Sequence, residues 1–206
     1  MDPFQIVRDF ELAVGDYTDA VECISVNSCT NALFLCLRWW KREYGPQVVW
    51  CPKRTYISVP MQIIHAGHQL KWTDEKWEGE YQLHPTQIWD SARRFEKGMC
   101  KGSKDYFVCT SHHWNKPLGI QQGGCILTDR DDAWDWLRRA RFDGRAEGVP
   151  IKHDPVPELG WHMYMSPEIA AEGLVRLHHL GKGAVLPNDP YPDLSKMPCF
   201  KGLAVR

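Results

Sequence analysis

Hydrophobic residues along the chain follow two kinds of spacing, the three-to-four-residue spacing of helices and the short apolar or alternating runs of strands. This pattern predicts helices at 31–44, 58–66, 131–142 and 166–180. It predicts strands at 21–26, 48–51, 69–72, 86–89, 106–110 and 124–128. Because strands and helices alternate over most of the chain, the expected fold is α/β, with a mostly parallel sheet and flanking helices.

The last part of the chain has a different character. Residues 181–206 are rich in proline and show no regular hydrophobic spacing. We therefore predict one domain over residues 1–180 and an irregular, Pro-rich tail over residues 181–206.

The composition limits the class of protein. Of the 206 residues, 43% are hydrophobic, which is enough for a substantial core. The formal net charge of −1 argues against a nucleic-acid partner and against a basic membrane-binding face. No apolar run approaches the roughly 20 residues that cross a bilayer, so no membrane association is expected.

The eight cysteines and nine histidines indicate neither disulfides nor a metal site. The cysteines form no CxxC pair and mostly lie in apolar runs, which is typical of reduced, buried thiols. The first eleven residues lack the apolar stretch of a signal peptide, so a cytoplasmic protein is expected. The histidines form no HExxH or combined Cys/His pattern, and no metal site is predicted.

Four polar segments follow predicted strands, at the sheet edge where open α/β folds bind ligands. They are NSCTNAL (27–33), RTYISVP (54–60), WDSARRF (89–95) and SHHWNK (111–116). Taken singly, each has an ordinary structural interpretation: a helix cap, a core tyrosine, a loop-capping aspartate and a solvated lysine.

Together the four segments match the needs of pyridoxal 5′-phosphate (PLP). Its phosphate suits the N-terminus of the helix that follows NSCTNAL. Its ring suits an aromatic partner such as Tyr56, and its ring nitrogen suits a carboxylate such as Asp90. Its aldehyde reacts with a lysine amine, and Lys116 lies beside apolar residues that would desolvate it.

The order of these segments resembles that of the DegT/DnrJ/EryC1/StrS aminotransferases. The family pattern S-x-H-x-x-K followed by a diglycine is matched by Ser111, His113, Lys116 and Gly123–Gly124. SCTNAL is similar to the family's S-G-T-x-A-L, and WDSARRF to its D-x-A-Q. The similarity runs in order from about residue 10 to residue 180 and implies the large domain of a fold-type-I PLP-dependent transferase, without the C-terminal small domain.

The resemblance implies a role for each matching residue. Lys116 would form the Schiff base and later move the proton between the substrate and the cofactor. Asp90 would pair with the pyridine nitrogen, and Tyr56 would stack on the ring. The phosphate-binding residues would be Ser28, Cys29, Thr30 and Ser111.

Three residues depart from the family pattern. Cys29 replaces the glycine of S-G-T, which adds a side chain near the phosphate. Arg93 replaces the glutamine that touches the cofactor's 3′-oxygen. His162 stands where the family has an asparagine that reaches the phosphate of the neighbouring subunit, so the resemblance implies a homodimer with a shared active site.

The function implied is a PLP-dependent aminotransferase. It would move an amino group from an amino acid, with L-glutamate the expected donor, to a nucleotide-linked keto-sugar. Trp77, in the Trp-rich stretch 72–83, offers an aromatic face for the sugar. The alternatives are a non-catalytic homologue that acts as a binding or scaffold subunit, and a PLP enzyme of other chemistry on the same fold.

Overall fold

The computed structural model describes residues 2–205. Its helices are α1 (Gln5–Thr18), α2 (Cys29–Tyr44), α3 (Ser58–His65), α4 (Asp131–Ala140) and α5 (Pro167–His179), with short 3-10 helices at Ile151–His153, Leu194–Lys196 and Pro198–Phe200. Its strands are β1 (Glu22–Val26), β2 (Val48–Pro52), β3 (Gln69–Thr73), β4 (Tyr81–Gln82), β5 (Ile88–Ser91), β6 (Arg94–Glu96), β7 (Phe107–Ser111), β8 (Gly124–Thr128), β9 (Gly183–Val185) and β10 (Ala204–Val205).

The strands form a central five-stranded sheet in the order β1-β8-β7-β5-β4. β5 and β7 are parallel, and β8 runs antiparallel between β7 and β1, so β1, β5 and β7 share one direction. A second sheet, β10-β3-β2, is fully parallel. The two sheets meet where the Trp50 N–H donates to the carbonyl of His84 at 2.7 Å.

The hydrophobic core lies on both faces of the central sheet. Successive side chains of a strand point to opposite faces, and in β7 Phe107 and Cys109 enter one buried cluster while Val108 enters another. The first cluster is covered by α2, which packs against α3 and α4. The second is covered by α1 and α5, which pack against each other. The α/β layering predicted from the sequence is therefore confirmed.

Each predicted helix and strand is present, with ends shifted by a few residues. The helix α2 begins at Cys29 because Ser28 caps it, its side-chain oxygen accepting the Asn31 N–H at 3.2 Å. Hydrophobic spacing alone did not predict α1 or the short strands β4, β6, β9 and β10. Strands of two or three residues are held by their partners and carry too little pattern of their own to be recognised.

The segment 181–206 has more regular structure than predicted. In its described part, β9 pairs with β6 and β10 pairs with β3. The side chains of Leu194 and Phe200 are buried, and the Phe200 ring meets Trp72 edge-on with centroids 5.3 Å apart. These residues therefore belong to the core of the protein. None of the helices in residues 2–205 is both long and apolar enough to span a membrane.

Candidate active site

A cavity of about 370 Å³ opens beyond the carboxyl ends of β1, β5 and β7. This is the sheet edge at which ligands bind in open α/β folds. The sequence-predicted site residues that line it are Ser28, Cys29, Thr30, Tyr56, Asp90, Arg93, Ser111 and Lys116. Four segments that are far apart in sequence thus meet in one pocket.

The N-terminus of α2 forms one wall of this pocket. The first N–H groups of a helix have no acceptor inside the helix, and the helix dipole adds a partial positive charge. β8 lies very close to this turn, because a Cβ atom at Gly124 would sit 2.6 Å from the Cys29 nitrogen. Ser111 ends β7 directly opposite Gly124. Backbone donors and a hydroxyl therefore surround a space suited to a phosphate.

Asp90 is buried, and its carboxylate is firmly held. Its Oδ2 accepts the Tyr81 hydroxyl at 2.8 Å, and its Oδ1 accepts the Ala92 N–H at 3.0 Å. The Tyr81 hydroxyl is in turn 2.6 Å from the Thr55 hydroxyl. Burial raises the pKa of Asp90, while the hydrogen bonds from Tyr81 and Ala92 oppose the rise. A cation such as a protonated pyridine nitrogen would stabilise the ionised form.

Lys116 lies in the loop after β7, half-buried in the pocket wall. Its backbone N–H donates to the His113 carbonyl at 2.8 Å. Within residues 2–205, its amine forms neither a hydrogen bond nor an ion pair. Burial lowers the pKa of Lys116, and the positive charge of Arg93 lowers it further, while Asp90 opposes both. The amine therefore loses its proton more readily than that of a solvated lysine.

The remaining lining residues differ in their exposure. Tyr56 is 57% exposed, at the rim of the pocket, where its ring is accessible to a ligand. The Thr30 hydroxyl is 2.8 Å from that of Ser58. The Cys29 sulfur is 3.9 Å from Asp90 Oδ1, and burial raises the pKa of this thiol, so that it stays protonated.

The guanidinium of Arg93 is hydrogen-bonded to the C-terminal part of the chain. Its Nη1 lies 2.6 Å from Asp189 Oδ2, and its Nη2 donates to the carbonyl of Pro187. The predicted contact between Arg93 and the 3′-oxygen of the cofactor stays a prediction.

His162 lies outside the pocket of its own chain. It is exposed, and its Nδ1 is 2.9 Å from Asp143 Oδ2. It borders a separate shallow cavity together with Tyr164 and Gln122, and Gln122 also lines the main pocket. Its assignment to the site of a partner subunit stays a prediction.

The sequence did not indicate that Thr55, Asp189 and Tyr191 line the pocket, or that Tyr81 holds the carboxylate of Asp90. Tyr81 lies in a two-residue strand whose only sequence signal is the alternation in EYQL. Asp189 and Tyr191 reach the pocket through a fold-back of the segment that was predicted to be irregular.

Residues 4–90 match the model of the DegT/DnrJ/EryC1/StrS aminotransferase family. The chain resembles this aminotransferase family. The match includes the α2 N-terminus, Tyr56 and Asp90, and it confirms the resemblance seen in the sequence motifs. No curated protein sequence matches the chain.

Solved structures share the fold, among them that of a sugar aminotransferase, CalS13. CalS13 from Micromonospora echinospora has a TM-score of 0.71 at 18% identity, covering 85% of this chain and 61% of that chain. AtS13 from Actinomadura melliaura has a TM-score of 0.80 at 16% identity, covering 98% and 81%. PseC from Helicobacter pylori, an aminotransferase involved in the biosynthesis of pseudoaminic acid, has a TM-score of 0.69 at 14% identity, covering 85% and 58%. The chain thus spans less than two thirds of the length of CalS13 and of PseC.

Proposed function

We propose that the chain is a PLP-dependent aminotransferase. The observation that carries the proposal is that an unpaired, half-buried lysine and a buried, hydrogen-bonded carboxylate line the same pocket as a helix N-terminus. When bound, PLP supplies an aldehyde and an electron-withdrawing ring on which an amino group can be transferred. The pocket has a group suited to each part of this cofactor: its phosphate, its ring, its ring nitrogen and its aldehyde.

Each residue has a defined task in this proposal. The α2 N-terminus with Ser28, Cys29, Thr30 and Ser111 would bind the phosphate. Tyr56 would pack on one face of the ring, and Asp90 would keep the ring nitrogen protonated. The Lys116 amine would hold the cofactor at its aldehyde carbon, with the aldehyde oxygen leaving as water, and would afterwards carry the proton between the two carbons that exchange it.

The substrates we propose are L-glutamate as amino donor and a nucleotide-linked keto-sugar as acceptor. Support comes from CalS13, a sugar aminotransferase of this fold, and from PseC, an aminotransferase of pseudoaminic acid biosynthesis. Trp77 supports a sugar site in this chain, because its ring lies in the pocket wall, stacked with Tyr191 at 6.1 Å between centroids. Aromatic faces of this kind pack well on the apolar faces of sugars.

We further propose a cytoplasmic homodimer with a shared site. Eight free cysteines, seven of them buried, fit a reducing compartment. The exposed His162 would reach the phosphate in the partner's pocket. A monomer by light scattering at micromolar concentration, with PLP bound, would contradict the shared site.

The experiment that tests the activity follows one half of the reaction. We expect the PLP-loaded chain to convert L-glutamate into 2-oxoglutarate in an amount equal to the enzyme, without an acceptor sugar. The Lys116→Ala variant should produce none, and Lys104→Ala, which removes an exposed lysine, should behave as the unchanged chain. Formation of 2-oxoglutarate by the Lys116→Ala variant would contradict the proposed role of the lysine.

A second candidate function is a non-catalytic binding subunit. It is favoured by Arg93, whose guanidinium is already paired with Asp189 instead of being free for a ligand. This candidate predicts sugar or cofactor binding with no formation of 2-oxoglutarate.

A further inference from the structure

Residues 186–191, which we call the strap, cross the mouth of the pocket. At one end, the Leu186 N–H donates to the Arg93 carbonyl at 2.7 Å. Further along, the Asn188 side chain donates to the Trp77 carbonyl, and the Tyr191 ring stacks on Trp77 at an interplanar angle of 23°. The strap is thus attached at several points, while its middle residues, 187–190, are exposed.

The strap brings a carboxylate onto the guanidinium of Arg93. Arg93 is only 7% exposed, whereas the Asp189 side chain is 53% exposed. Asp189 uses a single oxygen, Oδ2, and the second terminal nitrogen of Arg93 is occupied by the Pro187 carbonyl. The Arg93 Nε is buried and has no hydrogen-bond partner within residues 2–205. The guanidinium is therefore incompletely satisfied by its own chain.

A ligand carboxylate would satisfy this guanidinium better than the strap does. Both terminal nitrogens of an arginine can donate to the two oxygens of one carboxylate, and such paired, charge-assisted bonds are stronger than a single one. Arginine also keeps its charge when buried, unlike lysine. Because the Asp189 side chain is 53% exposed, water can solvate its carboxylate when a ligand takes its place on Arg93.

We infer that Arg93 is the receptor for a carboxylate of the amino-acid substrate, and that Asp189 occupies this receptor until the substrate displaces it. The inference rests on the proposed function, because it assigns a substrate group to the same pocket. Arg93 and Lys116 line that pocket together. A carboxylate held at Arg93 would place the rest of an amino acid toward the lysine.

The test uses glutarate, a dicarboxylate that has no amino group and cannot react. Glutarate binding is measured by isothermal titration calorimetry on the full chain, with and without PLP. We expect Arg93→Gln to weaken binding at least about tenfold, since charge-assisted hydrogen bonds are lost. We expect Asp189→Asn to strengthen binding about threefold, since the competing carboxylate is removed.

Arg94→Gln is the matched control. Arg94 is the next residue in the chain, and its guanidinium pairs with Glu80 and Glu96, away from the pocket. It should leave glutarate binding unchanged. Arg93→Lys, which retains a charge, should bind more tightly than Arg93→Gln, and this separates loss of the receptor from loss of folding.

The outcomes separate the inference from the proposed function. The inference is overturned if glutarate binds equally well to the unchanged chain and to the Arg93 and Asp189 variants. It is also overturned if glutarate binds to neither the unchanged chain nor Asp189→Asn. Arg93-dependent glutarate binding without any Lys116-dependent PLP absorption supports the carboxylate receptor and rejects the proposed function. Weaker binding in Asp189→Asn would show that Asp189 helps to hold the ligand, and it would overturn the displacement model.

Discussion

At the scale of single residues, burial shifts the pKa values of Asp90 and Lys116, which line the same pocket, in opposite directions. Burial disfavours any charge, so it raises the pKa of Asp90 and lowers that of Lys116. Asp90 and Lys116 therefore each need a nearby group of opposite charge to stay ionised. PLP, when bound, would place its protonated ring nitrogen against Asp90 and its aldehyde within reach of the neutral amine of Lys116.

The lowered pKa of Lys116 predicts the pH dependence of its reaction with PLP. Only the neutral amine attacks the aldehyde, so the rate should rise with pH as the ammonium loses its proton. Because burial and Arg93 lower the pKa, the midpoint should lie below the ordinary value of 10.5. Stopped-flow absorbance after mixing with PLP measures this rate. A midpoint at or above that of a free lysine side chain would contradict the burial argument.

Tyr81→Phe tests how the carboxylate of Asp90 is held. The change removes the 2.8 Å hydrogen bond to Asp90 Oδ2 and leaves the Thr55 hydroxyl without its partner. A hydrogen bond to a charged group contributes about 1.5–3 kcal/mol, so PLP affinity should fall about tenfold or more.

The same variant should shift the pH dependence of PLP binding. The Tyr81 hydrogen bond lowers the pKa of Asp90, so its loss raises that pKa further. Affinity falls as the pH is lowered and Asp90 takes up a proton, and in the variant this fall should begin at a higher pH. Tyr106→Phe is the control, because Tyr106 is also buried but, unlike Tyr81, is not hydrogen-bonded to Asp90. An equal loss in both variants would mean that only stability had changed.

At the scale of elements, the pocket depends on the close approach of β8 to the start of α2. A Cβ atom on Gly124 would lie 2.6 Å from the Cys29 nitrogen and 2.6 Å from the Thr110 carbonyl oxygen. Both contacts are with backbone, which cannot move aside as a flexible side chain can.

Gly124→Ala should therefore separate β8 from the phosphate wall. We expect a loss of stability of about 1–3 kcal/mol, typical of overpacking, and a larger loss of affinity for PLP than for pyridoxal, which has no phosphate. Urea unfolding and absorbance titration measure the two effects. Gly15→Ala in α1, where the new Cβ would have only a 3.5 Å contact with the Ala20 carbonyl, is the control. Equal losses for PLP and pyridoxal would contradict the phosphate assignment.

The elements that carry the pocket could be predicted because their signals are local. β7 and β8 are short apolar runs, and α2 follows a capping serine. The parts that could not be predicted depend on distant partners. The strap reaches Arg93 across more than ninety residues of sequence, and Tyr81 acquires its role only when β4 pairs with β5 and places it opposite Asp90.

At the scale of the whole molecule, the segment 181–205 contributes the buried side chains of Leu194 and Phe200 to the domain core. Phe200 is 3% exposed and packs against Trp72 of β3. We expect Phe200→Ala to lower the free energy of unfolding by about 3–5 kcal/mol in thermal or urea unfolding. Leu203→Ala, in a side chain that is 51% exposed, should change it by less than about 0.5 kcal/mol. Similar small effects of both changes would mean that the segment is a separate tail, as the sequence suggested.

The central claim is that this pocket binds PLP covalently through Lys116. The most direct measurement is the visible absorption spectrum of the purified chain with added PLP, compared between the unchanged chain and Lys116→Ala. We predict a band at about 420 nm that only the unchanged chain shows and that L-glutamate bleaches. A spectrum that is the same with and without Lys116 would contradict covalent binding of PLP through this lysine.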